Sequence, residues 1–315
     1  MGKGLTNILI YFSLVVILTS CSSSSDDDFY EQSKDCAIHV LVFGDSFSRD
    51  AFSYVPFIME EMCPGLTIDM EILCLNGKSL HYHIDYLNKN KSDFVLDLFT
   101  SYSGRWNTMS GVSGEKVISS KVWDLVVMQE SSIAIRDYAQ TQSRIDSLSN
   151  YIKEKQPNVK LSFMLPPAKP DSSPALGNYT SDEVWEINKK NSYKLLVQNR
   201  VNYVIPCGTG IQNARYTSLD DIGDFGHLSY DGNHLQEGLP CLIEAYTATQ
   251  LLFDMLSIDA SIMNSNLRIT QQWVYNKNIP GQHGSVITGT TYDYELCKRC
   301  ALLAVENPYQ ISIIP

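Results

Sequence analysis

From about residue 37 onward the chain repeats one pattern. A short, largely apolar run alternates with a longer stretch whose apolar positions recur at helical spacing. Uniform apolar runs are expected of strands buried on both faces, and their alternation with amphipathic helices predicts a parallel sheet wrapped on both sides. Ala37 to Phe43 reads as the first strand. A helix is expected from about Ser53, with Pro56 in its first turn, ending at Pro64-Gly65. Leu66 to Leu75 reads as the second strand, broken at Asn76-Gly77, and Ser79 to Asn90 as a helix with Leu80, Ile84 and Leu87 along one face.

Residues 91 to 121 break this rhythm. Phe94 to Tyr102 and Arg105 to Met109 are two β-like runs around Ser103-Gly104, which predicts an inserted hairpin beside the sheet. Such a hairpin either shapes a substrate pocket or forms a plain edge. The rhythm then resumes with a central strand from Trp123 to Met128, a helix from Thr141 to Gln156 and a fourth strand from Val159 to Leu165. The loop from Pro166-Pro167 to about Thr180 is of a length that commonly serves function. A helix from Ser181 to about Arg200, with Asp182 and Glu183 in its first turn, leads to a fifth strand from Val201 to Pro206. Five strands with four crossovers predict a flavodoxin-like α/β fold, a five-stranded parallel sheet of order 2-1-3-4-5 with helices on both faces. A helix from Glu237 to about Leu256 closes the domain spanning 36–257, and residues 258–315, with a helix from Tyr292 to Glu306, are expected to pack on it as a C-terminal extension.

The start of the chain follows a different logic. Lys3, the apolar stretch from Leu5 to Thr19 and Leu18-Thr19-Ser20-Cys21 read as a bacterial lipoprotein signal peptide over 1–20, with Cys21 lipidated. Met1-Gly2-Lys3-Gly4-Leu5-Thr6 also fits an N-myristoylation pattern, which does not account for the apolar run or the cysteine. Residues 21–35, with Ser22 to Ser25 and Asp26 to Asp28, form a polar tether. The expected place is the bacterial cell envelope, anchored to a membrane by the lipid. The acidic tether resembles export signals of some Gram-negative surface lipoproteins, which points to the outer membrane and its exposed face.

Composition narrows the partners. A net charge of −11 argues against a nucleic-acid partner, because phosphate binding needs clustered Lys and Arg. Without Cys21 seven cysteines remain, an odd number mostly within apolar runs, and they read as buried thiols. Cys297-x-x-Cys300 lacks the second pair or histidines of a zinc site, and Asp220, Asp221 and Asp224 lack the ligand ladder of a calcium loop. No metal or organic cofactor is implied.

Two stretches carry the candidate chemistry. Gly44-Asp45-Ser46 follows the first strand, and Asp231-Gly232-Asn233-His234 lies just before the last core helix. A serine hydroxyl attacks well only when a base removes its proton, and the base needs a third group to hold its tautomer. Ser46, His234 and Asp231 supply those groups. A spacing of three lets the Asp231 carboxylate reach Nδ1 while Nε2 meets the serine.

These motifs resemble those of the SGNH (GDSL-type) hydrolases, serine esterases of flavodoxin-like fold. Ser46 to Ala51, Gly77 to His83 and Asp231 to Leu235 together resemble an uncharacterised bacterial lipoprotein branch of that superfamily, over roughly Ile38 to Leu256. The order Ser, Asp, His is shared with α/β-hydrolases, but those carry a Gly-x-Ser-x-Gly elbow, whereas residues 44 to 48 here end in Ser48. The resemblance implies an oxyanion hole from the Ser46 amide, the Gly77 amide and a side-chain amide at the end of the third strand. There the superfamily usually has asparagine and this chain has Gln129, as in the Gln-Gly-Glu run of its sialate and acetylxylan esterase branches. His83 is expected to bind substrate, brace the pocket or face solvent. Glu130 is a candidate substrate-binding residue, a brace or solvated, and His227 a loop or substrate-rim residue.

The expected activity is hydrolysis of a carboxylic ester, an O-acyl group such as O-acetyl on a small-molecule or glycan substrate. Two alternatives stand beside it. One is a non-catalytic glycan-binding lipoprotein, favoured by the departure at Gln129, and the other an acyltransferase using the same triad.

Overall fold

The computed structural model describes residues 37–281 and 284–314. The signal peptide expected over 1–20, Cys21 and the tether to residue 35, and Cys36 lie outside the described residues.

The first apolar run forms β1 (Ala37–Gly44), with Val40 to Phe43 wholly buried. Its residues alternate between two cores, Val40 and Val42 in one and Leu41 and Phe43 in the other. That double burial is why Val40 to Phe43 are apolar without a break instead of alternating. β2 (Thr67–Cys74) pairs parallel to β1 on one side, and β5 (Leu125–Gln129) on the other. β6 (Lys160–Met164) and β7 (Tyr203–Ile205) continue the parallel run.

The inserted hairpin changes the sheet. β3 (Phe94–Thr100) pairs antiparallel to β2, and β4 (Arg105–Val112) antiparallel to β3. The order is β4-β3-β2-β1-β5-β6-β7, so the five-stranded parallel sheet expected from the sequence is in fact a seven-stranded mixed sheet. Its five parallel strands do follow the 2-1-3-4-5 order. The hairpin hydrogen-bonds to the outer edge of β2 and so covers backbone groups that an exposed edge would leave unpaired.

Helices cover both faces. α3 (Leu80–Asn88), α4 (Gly114–Ser119), α5 (Tyr138–Lys155) and α6 (Ser181–Val197) contribute to the core that holds Leu41 and Phe43. On the other face lie α1 (Ser46–Phe52), α2 (Val55–Met62), α7 (Cys207–Arg215), α8 (Leu239–Leu256), α9 (Gln271–Lys277) and α10 (Thr291–Glu306). α8 is buried nearly all round because α1, α2, α7 and α10 all pack on it, and it carries apolar residues on every side with Glu244 and Gln250 buried among them. The C-terminal helix therefore closes over the core helices.

Two local expectations change. The helix expected from Ser53 is two helices, and the first begins seven residues earlier, at Ser46, where the Asp45 side chain caps it by accepting from the Phe47 amide at 3.0 Å. α4, α7 and α9 are additions, too short to show a sequence period, and α7 carries Gly208 and Gly210. Cys74, Cys207, Cys241, Cys297 and Cys300 are buried free thiols, and Cys63 is half-buried and free. Among the described residues no helix is long and apolar enough to cross a membrane.

Candidate active site

β1, β2 and β5 end side by side, and the turns that leave them meet at this rim of the sheet. At Gly44 a Cβ would collide with Ser48 Oγ and Gln129 Oε1, so only glycine lets the turn pack this closely on the end of β5. Gln129 Oε1 accepts from the Asp45 amide at 2.8 Å and from Ser48 Oγ at 3.0 Å. These bonds hold Ser46, which is 9% exposed, in the first turn of α1.

The second turn is built by Asp231. One carboxylate oxygen accepts from the amides of Asn233 (2.8 Å) and His234 (2.7 Å), and the other meets His234 Nδ1 at 2.9 Å. His234 Nε2 lies 2.9 Å from Ser46 Oγ, across 188 residues of chain. The imidazole is stacked between Phe47 and Tyr230, each with its centroid 5.7 Å away. Ser229 Oγ donates to the His234 carbonyl at 2.7 Å, and the Leu235 amide donates to Asp50 of α1 at 3.4 Å, which ties the histidine turn to the serine's helix. Burial opposes ionisation of Asp231, but the His234 amide and ring and the Asn233 amide outweigh it and hold the carboxyl down at about 2. The group is therefore an acceptor throughout the neutral range, which sets the Nδ1–H tautomer and leaves Nε2 to accept from Ser46.

Asp45 behaves in the opposite way. Burial raises its carboxyl to about 6, against the Phe47 amide and the Gln129 side chain, which lower it. A carboxyl raised above its unfolded value binds its proton more tightly when folded, so stability falls as pH rises from about 4 through 6 and then levels off. Asp45→Asn keeps an oxygen for the cap without the charge. It should raise stability at pH 8 by on the order of 1–3 kcal/mol and by little at pH 3.5, measured by urea unfolding at the two values.

Ser46 and His234 open into a cavity of about 520 Å³, within the range that holds small ligands. Arg49, Asn76, Gly77 and Lys169 also line it. Gly77 has φ +64, a left-handed conformation that glycine adopts without strain. Arg49 is held by Asp97 of the hairpin at 2.7 Å and donates to Asn76 Oδ1 at 3.2 Å. The hairpin thus supports a lining residue and does not itself line the cavity.

Four residues expected at the site lie elsewhere or do other work. Gln129 is not an oxyanion donor. Its oxygen must face the Asp45 N–H, its nitrogen donates to the Glu130 carbonyl at 2.8 Å, and it is 1% exposed. Glu130 does not bind substrate, because its buried carboxylate is held by Arg144 (3.0 Å) and the amides of Ser131 (2.9 Å) and Leu80 (3.3 Å). His83 neither lines the cavity nor faces solvent. It is fully buried between Phe43 and Phe94, and burial pushes its pKa down to about 3, so it stays neutral. His227 is exposed, lies outside the cavity lining and bonds Asp220 at 2.8 Å, an acid partner that sequence spacing did not suggest.

Arg49, Asn76 and Lys169 escaped the sequence reading as site residues. Asn76 adjoins Gly77, and Lys169 lies in the long loop after the fourth strand, so position offered a signal for both. Arg49 gave none, because its place depends on the hairpin.

A solved structure shares this fold. A protein of the same family from Bacteroides uniformis is 20% identical, covers 88% of this chain and 98% of its own, and superposes with a TM-score of 0.72. A protein classed as an SGNH hydrolase from Slackia heliotrinireducens (14% identical, 69% of this chain, 99% of that one, TM-score 0.48) and one classed as a GDSL-like lipase from Parabacteroides merdae (11%, 70%, 96%, TM-score 0.46) are also similar. No curated protein matches the chain. The model of the family described as "Domain of unknown function (DUF4886)" matches residues 39–274, well over half of the 315 residues, and the chain therefore belongs to that family.

Proposed function

We propose that this protein is a serine hydrolase of carboxylic esters. The observation that carries the reading is the continuous hydrogen-bonded line Asp231–His234–Ser46, with both contacts to the imidazole at 2.9 Å and the serine at the floor of a small cavity. In the first half-reaction Ser46 Oγ attacks the acyl carbon while His234 Nε2 takes its proton. The tetrahedral oxyanion is met by the amides of Ser46 and Gly77 and by the side-chain amide of Asn76. Arg49 holds the oxygen of that Asn76 side chain, which leaves its NH₂ group for the substrate. His234 returns the proton to the leaving alcohol. Water then attacks the acyl-enzyme with the same histidine as base, which frees the acid.

The substrate class is an O-acyl group, such as O-acetyl, on a carbohydrate, and the protein acts in the bacterial envelope, anchored through Cys21. Motif resemblance supports both statements. With Asn76 available, the departure at Gln129 no longer favours a non-catalytic glycan binder.

A fluorophosphonate probe tests the reading. Ser46 Oγ should displace fluoride from phosphorus, giving one adduct on the Ser46 peptide by mass spectrometry that is absent in His234→Ala. No labelling, together with equal p-nitrophenyl acetate hydrolysis by wild type and Ser46→Ala, would remove the esterase.

A further inference from the structure

Lys169 is a buried cation of the cavity without an acid of its own. It belongs to the loop after β6, lines the cavity and is 9% exposed. Its ammonium donates to Asn233 Oδ1 and lies 5.9 Å from the centroid of the Phe47 ring. Among the described residues no carboxylate lies within 4.0 Å of it, the limit for an ion pair. Asp45 and Asp231 act on it only through space, against the burial that lowers its pKa. Arg49, the other cation of the lining, is neutralised by Asp97 at 2.7 Å.

An ammonium carries three donors, and a neutral amide oxygen satisfies one. Keeping an unpaired charge out of water costs stability unless something supplies the counter-charge. In a protein of net charge −11, a cation left without an acid partner at the mouth of a reactive serine is placed for a ligand. Its side of the cavity is also defined. Asn233 Nδ2 is 3.3 Å from both ring nitrogens of His234, so Lys169, Asn233 and the imidazole form one contiguous row. His234 hands its proton to the departing oxygen, so the alcohol leaves along that row.

We infer that the cavity selects esters whose alcohol portion carries a carboxylate, and that Lys169 is the residue that recognises it. This rests on the hydrolase reading of Ser46. The carboxylate would complete the donors of the ammonium and supply its counter-charge, while the acyl group points toward Gly77 and Asn76. A lysine that only positions Asn233 would affect neutral and anionic esters alike.

The test compares 3- and 4-acetoxybenzoate with the neutral 3- and 4-acetoxybenzamides in wild type, Lys169→Met and Lys169→Arg. The ratio of kcat/KM for anionic over neutral ester should fall about 10–100-fold in Lys169→Met, mostly through KM, and recover in part in Lys169→Arg. Equal losses on both esters overturn the inference. Lys169→Gln replaces Lys169→Met if the latter melts early. Binding provides an arm independent of turnover, in which 4-acetoxybenzoate is titrated calorimetrically into Ser46→Ala and into Ser46→Ala/Lys169→Met. If Ser46 proves irrelevant to hydrolysis, weaker binding in the double variant still supports the anion site, and unchanged affinity rejects it.

Discussion

Ser46→Ala is expected to lower kcat/KM for p-nitrophenyl acetate by roughly 10⁴-fold or more, with far-UV circular dichroism unchanged. Alanine suits the first turn of a helix, and the lost hydroxyl bonds only across the cavity to His234, so the fold should tolerate the change. His234→Ala should cost about as much, and the two together no more than either alone, because a nucleophile without its base and a base without its nucleophile are equally idle. Asp231→Asn should also lose rate heavily, since an amide presented to Nδ1 permits the tautomer that aims a proton at Ser46. Additive losses in the double variant would mean that the two side chains do not act as one unit.

Gln129→Leu is the second large effect, and it separates two roles. In the geometry here the glutamine oxygen satisfies the Asp45 amide and the Ser48 hydroxyl, and its nitrogen satisfies the Glu130 carbonyl, all out of contact with water. Leucine would leave three buried polar groups unpaired at about 1–3 kcal/mol each, a loss on the order of 3–6 kcal/mol in urea unfolding after partial relaxation. Activity should fall with it as the serine turn loosens. Had Gln129 been an oxyanion donor, the variant would instead lose kcat at nearly unchanged stability. A stable, slow Gln129→Leu would therefore overturn the assignment made here.

Much of the architecture was legible because it is written in local pattern. β1, β2, β5 and β6 are rich in apolar residues, the turns after β2 and β6 carry glycine or proline, and the amphipathic helices between the strands keep their spacing. The serine turn and the Asp231–His234 turn were legible for a related reason, as short motifs whose residue types and spacing already meet the needs of the chemistry. Where the reading failed, the deciding contact was distant in sequence. The hairpin's pairing with β2 made the sheet seven-stranded and mixed, and nothing within residues 94–112 says which edge it joins.

The same division runs through the site. The sequence by itself determined a strand-turn-helix with a serine at the turn, an aspartate and a histidine three residues apart, and a parallel α/β core to carry them. Only the tertiary structure decided which amides face the cavity. It turned Gln129 inward because the Asp45 N–H needed an acceptor, buried His83 between two phenylalanines, engaged Glu130 with Arg144, and brought Arg49, Asn76 and Lys169 to the wall. The physical reason is that a side chain's role follows from which polar groups it must satisfy once water is gone, and those groups come from segments tens to hundreds of residues away.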